Sequence, residues 1–153
     1  MPALRELTTA PIISILEAPL LLASSIGGRT GIITTGKRWE LLLAHEVASL
    51  GLSNLNQAGV ISSGFSTSEL HDLPPDRVQK VLGEISRDGL VVGRNADVIV
   101  LGCAGMAGLE AAITAACGEG IVVIDPVKAG LELAQSLLRL GVKTSKKGMY
   151  GSV

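Results

Sequence analysis

Cys103 stands within the stretch Asp97–Gly108, D-V-I-V-L-G-C-A-G-M-A-G, where an uncharged run gives way to helix-forming residues. Val98-Ile99-Val100-Leu101 is too short and too β-branched for a helix, and it predicts a buried parallel strand. Open α/β sheets put their ligands just outside the carboxyl ends of such strands. N–H groups at the start of the following helix favour an anion at that spot, a thiolate included. A free cysteine is commonly a small buried hydrophobe. The strand-end position between two small residues is what makes Cys103 a candidate for chemistry.

A second strand end has a similar character. Thr30-Gly31-Ile32-Ile33-Thr34-Thr35 reads as a strand closed by Gly36, and its two terminal hydroxyls could hold a carboxylate or imide oxygen. Threonine is also common in strands and at helix caps, so the pair gains weight only beside Cys103. Cys117 falls late in an Ala-rich helix and reads as core packing. His45 and His71 are isolated, one on a helix flank and one in a loop, with no second ligand at metal-binding spacing. Asp125 precedes a helical run and reads as its N-cap, with a substrate contact as the other possibility. No phosphate-binding loop, nucleophile elbow or zinc-type cysteine pairing occurs, and Gly102-Cys103-Ala104-Gly105 lacks the third glycine of a dinucleotide fingerprint.

These residues need a frame, and the chain alternates strand and helix throughout. Pro2–Leu7 looks like part of a helix. Pro11–Leu16 reads as a short strand, and a helix follows from Glu17 to about Ile26, with Pro19 tolerated in its first turn. After the Thr30–Thr35 strand, Trp39, Leu42, Leu43, Val47 and Leu50 form one apolar helical stripe ending before Gly51. Leu55–Ile61 is a weaker strand candidate. Ser62–Leu73 reads as a loop long enough to act as a lid. A helix from Pro74 carries Val78, Val81, Leu82 and Ile85 and fades over Gly89–Asn95. Beyond Cys103 a continuous helix from about Gly105 to Cys117 is expected, turning Met106, Leu109, Ala112, Ile113 and Ala116 inward. Ile121–Ile124 is a further apolar strand. The last helix starts at Asp125-Pro126, with Leu131, Leu133, Leu137 and Leu138 as its buried side. The pattern predicts an α/β fold with a mainly parallel sheet and right-handed crossovers.

Composition narrows the function classes. With 153 residues the chain can bury one real core or form two small lobes. Apolar residues make up 47% but aromatics only 2%, so aliphatic side chains must fill that core. The net charge of −1, with Lys143, Lys146 and Lys147 as the single basic cluster in a solvated tail, predicts neither nucleic acid nor membrane as a partner. Two cysteines make no disulfide framework, and no signal peptide or membrane span is visible, so a cytoplasmic setting is expected.

The chain resembles the hydantoin racemase branch of the aspartate/glutamate racemase superfamily. The matching pieces are Asp97–Met106, the strand end Ile32-Ile33-Thr34-Thr35, and Val123-Ile124-Asp125-Pro126-Val127-Lys128-Ala129. Their order agrees across nearly the whole sequence. The resemblance implies two αβα lobes with parallel sheets and a substrate cleft between them. It implies a cofactor-independent racemase or epimerase of hydantoin, allantoin or a related amino-acid derivative. One cysteine from each lobe would flank the stereocentre, one removing the α-proton and the other delivering a proton to the opposite face. Carried over, Cys103 is the second-lobe acid/base, Thr34, Thr35, Gly102, Ala104 and Gly105 bind substrate, and the N–H groups of Ala104 and Gly105 stabilise the enolate oxygen. No metal or other cofactor is implied; the expected partner is a small molecule, and a homo-oligomer is expected.

The match has a gap. Pro2–Glu6 looks like the helix that follows the family's first catalytic cysteine, and neither that cysteine nor the Asn-Pro-Asn-type loop before it occurs here. Residues 30–120 are then expected to form a complete second lobe carrying Cys103, with 1–29 and 121–153 as the remnant of an incomplete first lobe plus the tail. Cys117 is not expected to stand in, because fourteen residues of continuous helix span roughly 20 Å. Three readings follow: a shortened racemase, a ligand- or partner-binding remnant, or a one-cysteine enzyme similar to the arylmalonate decarboxylases.

Overall fold

A computed structural model describes residues 2–151; Met1, Ser152 and Val153, which the expected lobe boundaries include, lie outside the described residues. Four parallel strands form one sheet: β1 (Thr30–Thr34), β2 (Gly59–Ser62), β3 (Val98–Leu101) and β4 (Val122–Ile124), in the order β2-β1-β3-β4. The helices are α1 (Pro2–Leu7), α2 (Glu17–Ala23), α3 (Arg38–Ser49), α4 (Glu69–Asp72), α5 (Pro75–Ile85), α6 (Glu110–Cys117) and α7 (Pro126–Arg139). The fold is α/β, as the alternation requires.

Register explains why the middle of β1 and the whole of β3 are apolar. Ile33 pairs with Ile61 and Leu101 and joins Leu82, Leu90, Met106 and Ile113 in a core on one face. Ile32 pairs with Val60 and Val100 and joins Leu16, Leu20 and Val47 on the other. Both faces of the central strands are thus dry, which demands continuous apolar runs. The β1-to-β2 connection passes through α3 on the second face. The β2-to-β3 and β3-to-β4 connections run the opposite way along the sheet, through α5 and α6 on the first face. Opposite directions on opposite faces keep one hand for all three crossovers, and the chain reverses between β1 and β3.

Several elements differ from expectation. Residues 11–14 form no strand; Ile15 and Leu16 lie in a turn, with Leu16 buried under α2 instead. The helix from Pro75 does not fade but continues as a π-helix, Ser86–Val92, whose Leu90 packs so tightly on β1 that a Cβ on Gly31 would fall 2.6 Å from it. The helix after Cys103 is interrupted: a 3₁₀ turn, Ala104–Met106, ends at Gly108 with φ +89, and α6 begins only at Glu110. A glycine that must adopt positive φ breaks a helix without strain. Strand β4 lies at the sheet edge, so Val122 is exposed. On α7, Leu133 and Leu137 are half-buried, whereas Leu131 and Leu138 face solvent. The last helix does begin at the Asp125 cap: its Oδ1 accepts from the N–H of Val127 at 2.7 Å and of Lys128 at 3.1 Å.

The tail is not freely solvated. The Thr144 N–H donates to the carbonyl of Thr9 at 2.8 Å, and Lys146 Nζ donates to the carbonyls of Arg5 and Glu6 at the end of α1. Arg5 in turn pairs with Glu17 at 2.6 Å and lies against the Tyr150 ring. A cation at a helix C-terminus satisfies carbonyls that have no partner within the helix.

Candidate active site

The carboxyl ends of β1 and β3 are neighbours, and the chain reversal between them leaves a crevice there. A cavity of about 270 Å³ occupies it. Thr34, Thr35, Gly102, Cys103 and Ala104 all line it, so five of the six expected site residues are brought together. Gly105 lies just behind: a Cβ added there would be 3.6 Å from Cys103 Sγ and 3.5 Å from His71 Nε2. His71, on α4, therefore flanks the cysteine turn rather than standing alone in a loop.

Local geometry follows from the sequence. Cys103 keeps extended backbone angles, φ −145 and ψ 134, and its carbonyl accepts from Met106 N–H at 3.0 Å. That bond starts the 3₁₀ turn and leaves the N–H groups of Ala104 and Gly105 without an acceptor in it. Gly102 has no room for a side chain, because a Cβ would fall 2.7 Å from Ile32 Cγ2 and 3.0 Å from the Ile33 carbonyl. Thr34 Oγ1 donates to the Gly102 carbonyl at 3.4 Å. The main-chain carbonyls of Thr34 and Thr35 accept from Ser63 N–H at 2.7 Å and Gly64 N–H at 3.1 Å, which fixes the loop after β2 to this edge. Glu40 at the start of α3 accepts from both the N–H and the hydroxyl of Ser62.

The other side of the cavity was not legible as a site. Ile15, Leu16, Trp39, Leu43, Thr67 and Pro126 complete its lining. Trp39 belonged by periodicity to a buried stripe, yet it is 48% exposed at the rim. One signal for it existed: it is the single tryptophan of an aromatic-poor chain, four residues beyond Thr35. Thr67 draws the Ser62–Leu73 segment to the cavity as a wall. Cys117 ends α6 and packs against the core on the first face, where burial pushes its thiol pKa up. Among the described residues no group of three or more His, Cys, Asp or Glu could hold a metal, and no helix is long and apolar enough to cross a membrane.

The sequence pattern of the Asp/Glu/Hydantoin racemase family matches residues 1–134. The chain belongs to this family. As a member, it is 32% identical over 148 residues to a hydantoin racemase of Pseudomonas sp. strain NS671, covering 97% of this chain and 57% of that protein. It is 39% identical over 150 residues to an uncharacterised protein of Schizosaccharomyces pombe, covering 98% and 63%. Its fold superposes on the crystal structure of allantoin racemase from Pseudomonas fluorescens with a TM-score of 0.91 at 32% identity, over 99% of this chain and 63% of that one. This racemase-family chain thus spans about three-fifths of the length of the relatives it matches.

Proposed function

We propose that the cavity is the second-lobe half of a cofactor-independent racemase site for a hydantoin-type ring, with Cys103 as the acid/base. The observation that carries this is the convergence of Thr34, Thr35, Gly102, Cys103 and Ala104 on one small cavity at the sheet's reversal point. The proton on the stereocentre of a hydantoin is acidified by the adjacent ring carbonyl. The Cys103 thiolate takes that proton, becoming a thiol, as the C–H electron pair moves into the enolate. The N–H groups of Ala104 and Gly105 face the developing oxyanion, and the threonine hydroxyls hold the remaining polar edge of the ring. In this reading the lobe carrying Cys103 takes in α2 and β4 as well as residues 30–120, because both pack into the same sheet and core. A reducing, cytoplasmic setting suits a free thiol, and homo-oligomeric assembly is part of the same proposal.

One cysteine lines the cavity among the described residues, and that shapes the test. A single thiol works on one face of the stereocentre. It can take a proton, exchange it with solvent and return deuterium to the same face, so isotope exchange at the α-carbon should outrun loss of optical rotation. Incubating one hydantoin enantiomer in deuterated water with the chain, and with Cys103→Ser, reads both quantities. Exchange that depends on Cys103 supports the proposal. Binding without exchange favours a ligand-binding domain, and carbon dioxide release from an arylmalonate would favour one-cysteine decarboxylation.

A further inference from the structure

We infer that Trp39, at the rim of the cavity, selects hydantoins with an apolar substituent on the stereocentre over the ureido-substituted ring of allantoin. The inference rests on the proposed function and specifies its substrate class. The cavity is divided. Its strand-end side holds Thr34, Thr35, Gly102, Cys103 and Ala104, where the proposed function seats the ring and its acidic C–H. Ile15, Leu16, Trp39, Leu43 and Pro126 supply aliphatic and aromatic surface for whatever projects from that ring. Two of these, Trp39 and Ile15, are large apolar side chains about half exposed, 48% and 47%. Large apolar side chains left half open at a cavity mouth gain burial when an apolar group covers them.

A ureido group would meet the same wall badly. It carries three N–H donors and one carbonyl, which lose water on entry and need partners. Of the lining residues outside the floor, only Thr67 offers a side-chain hydroxyl. The wall therefore favours an isobutyl or benzyl substituent and leaves ureido hydrogen bonds unmade. Hydrophobic pockets discriminate by about tenfold or more for changes of this kind.

The experiment uses the full chain and reads protection of Cys103 from iodoacetamide, quantified by peptide mass spectrometry. The competing probes are 5-isobutylhydantoin and allantoin. Because Trp39 is the single tryptophan, emission from the unmodified chain gives an independent titration. The expected result is half-protection at a concentration at least ~10-fold lower for 5-isobutylhydantoin than for allantoin, with a saturable change in Trp39 emission. Trp39→Ala should abolish the preference by weakening the isobutyl compound alone, and Trp39→Phe should keep most of it. Equal or better protection by allantoin, or an unchanged preference in Trp39→Ala, overturns the inference while leaving the hydantoin site intact. No protection of Cys103 by either compound overturns both. Since Trp39 is half exposed, an unaltered far-ultraviolet dichroism of the variants is expected and separates loss of selectivity from loss of fold.

Discussion

The hydroxyl of Thr34 donates to the main-chain carbonyl of Gly102 across 3.4 Å, linking the last residue of β1 to the residue just before Cys103. Thr34 is 1% exposed while Gly102 borders the cavity, so the bond is part-buried, and leaving either group unpaired there is costly. Beside the bond from the Gly102 N–H to the Ile33 carbonyl at 2.7 Å, it ties together the two strand ends that form the floor of the cavity.

Thr34→Val keeps the shape and removes the donor. Stability should fall by about 1 kcal/mol, the typical worth of one such bond, measurable as a shift in the urea midpoint. Protection of Cys103 by a hydantoin should weaken about tenfold, a loss of about 1.4 kcal/mol of binding, because the ring loses a hydroxyl and the floor its spacing. A protection curve identical to that of the unmodified chain would remove Thr34 from the site.

The two cysteines should separate cleanly in a thiol titration. Both cysteines are half-buried against the same core, but Cys103 alone of the two also lines the cavity, and burial raises the pKa of Cys117. The thiolate is the reactive species, so iodoacetamide at neutral pH should modify Cys103 at least about tenfold faster. Equal rates would contradict an accessible, functional Cys103.

Two glycines flanking Cys103 should respond in opposite ways to alanine. At Gly102 the new methyl would fall 2.7 Å from Ile32 and 3.0 Å from a β1 carbonyl, so the strands must part; a loss of about 1–3 kcal/mol is expected from overpacking. At Gly105 the nearest atoms are at 3.5–3.6 Å, ordinary contact distance, and Cys103 Sγ is among them. Gly105→Ala should melt within a few degrees of the unmodified chain, about 1 kcal/mol or less, while Cys103 alkylation slows. Thermal unfolding and the alkylation assay check the pair together.

Asp97 makes acid stability informative. Its carboxylate accepts from the N–H of Arg29 at 2.7 Å and of Gly28 at 2.9 Å, and these bonds, Arg29's foremost, outweigh burial and hold its pKa below the ordinary 3.8. A carboxylate with a depressed folded-state pKa contributes stability that is fully present above 3.8 and is lost as pH falls through the lower folded value. Asp97→Asn cannot accept from both N–H groups and should cost about 1 kcal/mol at neutral pH. Denaturant melts should show that gap narrowing as the pH falls below 3.8; a gap that widens in acid would reverse the assignment.

The central strands were legible because burial on both faces leaves one solution, a short branched apolar run, and both Ile32-Ile33 and Val98–Leu101 are that. The floor of the cavity followed from them, since strand ends locate ligands in this fold class. The rest depended on tertiary context. Pro11–Leu16 has the composition of a strand, but the four-stranded sheet gives it no partner, and Leu16 fills the core beneath α2 instead. Helix periodicity assigned Trp39 to the core stripe because it counts only angle around one axis. The residue sits in the first turn of α3, beside the strand end, where the same face looks onto the cavity. The π-helix at Ser86–Val92 leaves no period of its own in so short a segment; its trace is Gly31, which clears space for Leu90.

Floor and wall have separate origins in the chain. Thr34, Thr35 and Cys103 are set by β1 and β3, whose neighbours on both faces tolerate little change. Ile15, Leu16, Trp39 and Pro126 come from a turn and from helix starts outside the strands. Substitution at Ile15 or Trp39, each about half exposed, need not disturb a single pairing of the sheet. A lineage built on this lobe can therefore drift in what lines the cavity mouth while inheriting unaltered the strand ends that carry Thr34, Thr35 and Cys103.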